Sequence, residues 1–286
     1  MEVIDKVIEY SRPDKFYLYP LGDMHLGAIH CHEKLLMEKV AEIKANKNAL
    51  WLGMGDYADL ITPSDFKRWD GGILAPWMKG NEDNIGSTQL RKVDEILSPI
   101  WDKCIGLIEG GHETSIRRYN HFDMMKELLI KANGKNTPPW DKVPYGGVQC
   151  FVKLNFKRKN SSESHDYIIH ARHGEGSART SGARALAVLR LVATFINANI
   201  VFSAHLHGQE SPDIPERLIL RNGKIKSFGT IATMTGAWLR AYMQGVPPCY
   251  LERWGCPPSK LGCPRIVIEP DKDMLTLEKT VTGIYQ

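Results

Sequence analysis

Five short apolar runs recur along the chain, and each ends in a cluster of Gly, Asp and His. Residues 16–21 run into Gly22-Asp23-Met24-His25, and 49–52 into Gly53-Met54-Gly55-Asp56. Residues 104–108 run into Glu109-Gly110-Gly111-His112-Glu113, 167–169 into His170 and then His173-Gly174, and 200–202 into Ser203-Ala204-His205-Leu206-His207-Gly208. The spacing between them is helical. Residues 33–44 set Leu36, Val40 and Ile43 on one stripe, and 183–196 set Leu186, Leu189 and Ala193 on another. Strands alternating with helices predict an α/β architecture with buried sheets. In such sheets ligands bind beyond the carboxyl ends of the strands, where the polar clusters lie here.

After Gly208 the pattern changes. Residues 224–233, 265–269 and 274–280 read as strands joined by tight turns at Asn222-Gly223 and Asp271-Lys272-Asp273, predicted to form a second sheet of the same domain. One domain is expected over 1–286, with loop-rich insertions at about 59–100 and 133–147.

Composition narrows the class without naming a function. The 286 residues are 43% hydrophobic and 24% charged, which excludes a disordered chain, and six Cys are too few for a disulfide scaffold. The formal charge of +4 tolerates phosphate-bearing ligands but does not require nucleic acid. No basic segment followed by an apolar stretch opens the chain, and the longest apolar stretch, 185–204, is broken by Arg190, Asn197 and Asn199. The expectation is a cytoplasmic protein with no membrane span and with reduced thiols.

The polar clusters hold eight metal-ligand candidates: Asp23, His25, Asp56, His112, His170, His173, His205 and His207. Asp23/His25 and His205/His207 are i, i+2 pairs, which in an extended segment project from one face. Mixed imidazole and carboxylate suits Mn, Fe or Zn better than Ca or Mg. Two such ions about 3.5–4 Å apart can stabilise both oxygens of an in-line displacement at phosphorus. Any one of these residues alone reads equally as a hydrogen-bonded strand end or a turn former. Their order is the stronger signal.

That order, Asp23-x-His25, Gly55-Asp56, Gly110-Gly111-His112-Glu113, His173-Gly174 and Ala204-His205-Leu206-His207, resembles the calcineurin-like metallophosphoesterase superfamily. Its blocks read D-x-H, G-D, G-N-H-D/E, H and G-H-x-H. The matches span positions 22–208, and the stretch from His173 to Arg184 further resembles phage and prophage members. The resemblance implies a four-layer α/β/β/α sandwich of two mixed sheets with a dimetal site at the strand C-terminal ends. One ion would take Asp23, His25 and His207; the other would take His173 and His205, with Asp56 bridging. His112 would protonate the leaving oxygen or stabilise charge on the phosphoryl group, with Glu113 orienting it or assisting it only indirectly. His173 is preferred over His170 because His-Gly is the family's form.

Two departures stand out. Gly111 replaces an Asn that in the family binds the second metal, and Ala204 replaces a Gly. The second site would then be weaker, completed by water or by a residue such as Asn120. The activity implied is metal-dependent hydrolysis of a phosphate ester, a diester or nucleic acid in preference to a small monoester, by in-line attack of hydroxide generated at the metals. Two alternatives stay open: a DNA exonuclease subunit of a repair-type complex, and a non-catalytic scaffold with a degraded second metal site.

Weaker signals complete the reading. Arg179 and Arg184 are candidates for the substrate phosphate, beside Arg117, Arg118 and Arg172. Cys249, Cys256 and Cys263 lack the paired spacing of a zinc site and read as free thiols. Trp69, Trp77, Trp238, Tyr242 and Trp254 read mainly as packing for the insertions, with base stacking as the minor reading. Residues 157–162 read as a charged hairpin tip.

Overall fold

The computed structural model describes residues 1–134, 137–138 and 142–279. The strands are β1 (Glu2–Tyr10), β2 (Phe16–Leu21), β3 (Ala49–Gly53), β4 (Cys104–Leu107), β5 (Gln149–Arg158), β6 (Ser164–Arg172), β7 (Ile200–Ser203), β8 (Arg217–Arg221), β9 (Lys224–Phe228), β10 (Ile231–Met234), β11 (Arg265–Glu269) and β12 (Met274–Glu278). The α-helices are α1 (Glu33–Ala45), α2 (Ile85–Leu97), α3 (Gly111–Asn120), α4 (Met124–Asn133), α5 (Ser181–Thr194) and α6 (Tyr250–Arg253). Two mixed five-stranded sheets form, in the orders β1-β5-β6-β7-β10 and β12-β11-β2-β3-β4.

The two sheets share one apolar interior. Leu18, Leu52, Ile105 and Ile266 from one sheet cluster with Val152, Leu154, Ile169 and Phe202 from the other. Helices cover the outer faces. Leu36, Val40, Leu90, Val93 and Leu128 of α1, α2 and α4 pack with Tyr19, Leu21 and Trp51, and Val188 and Val192 of α5 pack with Val201, Ala232 and Met234. Strands β2, β3 and β4 run parallel to one another, as do β6, β7 and β10, so the carboxyl ends of each set share one edge.

Helix α1 buries the stripe read from the sequence, Leu36, Val40 and Ile43. Helix α5 does not. Its buried positions are Arg184, Val188 and Val192, while Leu186 and Leu189 are exposed. Apolar residues lie on both sides of α5, so the period alone does not choose the face. The strands after Gly208 also differ from a separate second sheet. The Asn222-Gly223 turn joins β8 and β9 as an isolated hairpin, β10 extends the first large sheet, and β11 and β12 extend the second. Strands β10, β11 and β12 thus complete sheets begun earlier in the chain. The stretch 59–100 is loop and short 3-10 turns as far as Asn84 and then helix α2, and part of 133–147 lies outside the described residues. No helix among the described residues is long and apolar enough to cross a membrane.

Candidate metal centre

The five polar clusters converge at the shared carboxyl edge. Among the described residues, four groups of three side chains bring ligand atoms within 4.8 Å of one another. One is Asp23, His25 and His207; a second is Asp56, His173 and His205; a third, His25, Asp56 and His112, joins the first two. The first two sets bring together the side chains that the sequence resemblance groups, and the third adds His112, which it does not count as a ligand. The fourth, His30, Cys249 and Glu252, lies apart. There Glu252 Oε1 accepts the Cys249 N–H at 3.3 Å and caps α6.

The route to convergence is not the pleat of a strand. Asp23, His25, Asp56, His205 and His207 all follow strand ends and all have positive φ, between 48° and 73°. Left-handed backbone is uncommon for non-glycine residues, and Asp and His tolerate it better than β-branched ones. Backbone bonds hold it in place. Asp23 N–H donates to Gly55 O at 2.9 Å, and Met24 and His25 N–H donate to Asp56 O at 2.8 and 3.1 Å. Gly55 and Gly110 are needed because these loops touch: a Cβ on Gly55 would strike the Gly110 backbone, and one on Gly110 would strike the Asp56 carboxylate.

Of the two parts expected of Glu113, its contacts match the indirect one. Its carboxylate accepts the N–H groups of Asp56, Tyr57 and Gly110 at 2.8–2.9 Å, so it fixes the Asp56 loop and not the His112 ring. The His112 ring is set by the Asp59 carbonyl at Nδ1, and Arg68 Nη1 stands 3.3 Å from Nε2. Asp65 Oδ2 in turn accepts from Arg68 Nε at 2.7 Å. Asp59 also faces His25, its Oδ1 lying 3.5 Å from Nδ1. Neither Asp59 nor Arg68 follows from the sequence blocks. The only sequence hint is Asp59 three residues beyond Asp56, since Arg68 arrives through the fold of the insertion.

The electrostatics of three imidazoles suit cation ligands. Burial lowers the pKa of His25, His205 and His207, leaving neutral imidazoles with lone pairs to share. Burial raises Asp23 well above the usual carboxylate range. Burial also opposes charge on Asp56 and His173, but their mutual attraction prevails: Asp56 is held well below its usual range and His173 is pushed up to about 10. His25 Nε2 and His207 Nε2 face each other at 3.1 Å. His173 Nε2 lies 3.1 Å from Asp56 Oδ2, and His25 Nδ1 is buried 3.5 Å from Asp59 Oδ1. Two buried imidazole nitrogens that face each other beside carboxylates fit a divalent cation as their partner.

The other sequence candidates sort as follows. His170 is buried on β6, stacked on Phe195 with centroids 3.6 Å apart, and belongs to none of the ligand groups. Asn120, the last residue of α3, accepts from Thr62 Oγ1 at 2.9 Å through its Oδ1. Arg184 is buried, with Nη1 3.4 Å from Glu210 Oε1 and Nε 3.3 Å from Ala178 O. Arg179 is exposed beside Gly255. Arg117 is engaged by Glu109 at 2.6 and 2.8 Å, and Arg172 by Glu175 at 2.9 Å. Cys249, Cys256 and Cys263 are free thiols, and none of the ligand groups joins them to one another.

No family model matches the chain, and no curated protein matches it. Among solved structures it is similar to a Vps29 mutant from Entamoeba histolytica, at 11% identity and TM-score 0.36, covering 94% of this chain and 100% of that one. It is also similar to a predicted phosphoesterase from Streptococcus pneumoniae, at 11% identity and TM-score 0.33, covering 93% and 99%. Wild-type Vps29 from Entamoeba histolytica complexed with zinc aligns at 10% identity and TM-score 0.36, covering 93% and 98%. Likenesses at these scores carry no weight for function, which rests on the chain's own ligand geometry.

Proposed function

We propose that this chain is a metal-dependent phosphoesterase of the calcineurin-like type, acting on a phosphodiester or nucleic acid. One observation carries the reading: two three-residue ligand groups, Asp23/His25/His207 and Asp56/His173/His205, linked through Asp56, which also groups with His25 and His112. The shared interior between two mixed sheets, with helices outside, supports a single domain of four α/β/β/α layers.

Two divalent ions so held, Mn, Fe or Zn by donor chemistry, would supply a hydroxide nucleophile near neutral pH and neutralise charge on the phosphoryl oxygens. The chain's own residues do the rest. Asp59 and Glu113 fix the loops that carry His25, His112 and Asp56. His112 stands at the edge of the ligand groups to pass a proton to the leaving oxygen as the ester P–O bond breaks. Arg68, five donors on a planar fork beside His112, is the group best set to hold a phosphoryl oxygen. Arg184 shares a cleft with His205 and His207, and Arg179 is exposed beside Gly255.

A non-catalytic scaffold is the second reading, favoured by Gly111, which has no side chain to offer a second ion. One experiment separates the two. Metal content is measured alongside Mn²⁺-dependent hydrolysis of a chromogenic diester, a monoester and single- and double-stranded DNA, for the wild type and Asp56→Ala. The phosphoesterase reading expects two ions and turnover in the wild type, both lost in the variant. An Asp56→Ala protein with wild-type stoichiometry and rate overturns it. Wild-type protein with one ion or none and no turnover favours the scaffold, and DNA-only turnover favours the exonuclease.

A further inference from the structure

Of the described tryptophans only Trp254 is exposed, at 50%, and it does not stand alone. It closes the short helix α6, four residues after Tyr250, and the two rings meet edge to face with centroids 5.4 Å apart. The Tyr250 ring in turn lies 6.2 Å from the rings of both His25 and His112. Tyr250 and Trp254 line a cleft whose other wall includes His205, Leu206 and His207. The cleft therefore opens directly onto two of the candidate metal ligands.

The aromatic wall is held in place from behind. Leu251 and Cys249 pack with Ala28, Leu239 and Ala241, which ties α6 to the loop that follows His25. The Tyr242 hydroxyl donates to Cys256 O at 2.6 Å and pins the segment on its far side. A half-exposed Trp costs unburied apolar surface, and a rigid one loses little entropy on stacking. The chemistry that wall accepts is a flat, polarisable ring attached close to a phosphate.

We propose that Tyr250 and Trp254 form a base-binding subsite, so that the substrate of this centre is a phosphoester carrying a nucleoside. The inference rests on the phosphoesterase reading for the reaction, but base binding is measurable without it. A free nucleotide and the end of a nucleic-acid strand share this chemistry.

The first test compares thymidine 5′-(p-nitrophenyl phosphate) with methyl p-nitrophenyl phosphate, which have the same leaving group and differ in the base. The wild type is expected to favour the thymidine ester in kcat/KM. Trp254→Ala should cut that preference about tenfold, within the range for loss of one base–aromatic stack, and Trp254→Phe should restore part of it. An equal proportional loss on both esters, or a preference that survives Trp254→Ala, overturns the proposal.

The second test is calorimetric binding of thymidine 5′-monophosphate against inorganic phosphate. Tighter binding of the nucleotide in the wild type, lost in Trp254→Ala, supports the subsite even if no ester turns over, in which case only the phosphoesterase reading falls. Turnover without any base dependence sinks the subsite alone. Tighter binding of oligothymidylate than of the mononucleotide assigns a strand, and equal binding assigns a free nucleotide.

Discussion

Gly111 is where the chain departs from the family it resembles, and the structure makes the reverse substitution feasible. Gly111 is the first residue of α3, its φ lies outside the left-handed region, and a Cβ added there meets no heavy atom within 4 Å. The Cβ of Gly111→Asn therefore has room, and the backbone there needs no left-handed conformation. Restricting the unfolded chain stabilises by roughly 0.4–1 kcal/mol when the native conformation suits the new residue, so the fold should be neutral to slightly more stable. The larger effect falls on the second ion. With Asp56, His173 and His205 as its protein ligands, that site gains a directed carbonyl. On the scale of a hydrogen bond to a charged group, about 1.5–3 kcal/mol, the second Mn²⁺ should bind roughly 10- to 100-fold more tightly. Calorimetric titration of the metal-stripped proteins measures this directly, and the Mn²⁺ activation curve should shift to lower concentration in step. Two equally tight sites in the wild type, unmoved by the substitution, would show that the ligand shell is already complete and that Gly111 is no defect.

Three further outcomes are expected. His112→Ala should keep its metal yet lower kcat by roughly 10²–10⁴, the usual range for a general acid, with a smaller loss on nitrophenyl esters; equal losses on good and poor leaving groups would assign His112 to charge stabilisation. Arg68→Ala should lower kcat/KM by roughly 10- to 100-fold through one lost charged hydrogen bond with metal stoichiometry intact, and an unaffected kcat/KM removes Arg68 from the site. His170, pushed down to about 4 by burial and by Arg172, contributes stability that is full above the unfolded value near 6.5 and is lost as pH falls towards 4, about 3 kcal/mol at most; His170→Phe should flatten that part of the urea-unfolding pH profile, and an unaltered profile refutes the assignment.

The parts of this protein legible in its sequence are those fixed locally. A strand that ends in a polar cluster announces itself, so 16–21 and 200–202 read correctly as β2 and the body of β7. The α1 stripe reads correctly because its opposite face is charged. In α5, Leu186 and Leu189 compete with Val188 and Val192, and only the sheet beneath decides which pair goes in. Strand β1 takes its place through a nine-residue parallel register with β5, a long-range pairing that no local pattern announces. At the site, the residue types and order were legible and the conformation was not. The i, i+2 pairs suggest an extended segment, yet the chain has left its strands and turned left-handed. Asp59, Arg68 and Tyr250 went unread for a related reason, since each comes from a segment whose approach is set by packing elsewhere.

The left-handed backbone bears on how the centre works. Residues in sparsely populated φ/ψ regions cost of order 1–3 kcal/mol each and persist only where their surroundings over-determine them. Five of the eleven positive-φ non-glycine residues among those described are candidate metal ligands. The surroundings that hold them are visible: the paired loops after β2 and β3, the Glu113 carboxylate with three backbone donors, and His205 N–H donating to Asp23 Oδ2 at 2.9 Å. The ligand sets are thus shaped by the polypeptide itself, with the strain offset by burial and backbone bonding elsewhere, and a cation would meet donors already gathered. On the phosphoesterase reading, a site built this way would spend little of its metal-binding energy on ordering the chain, which would leave the ligand count, and hence position 111, to decide how tightly each ion is held.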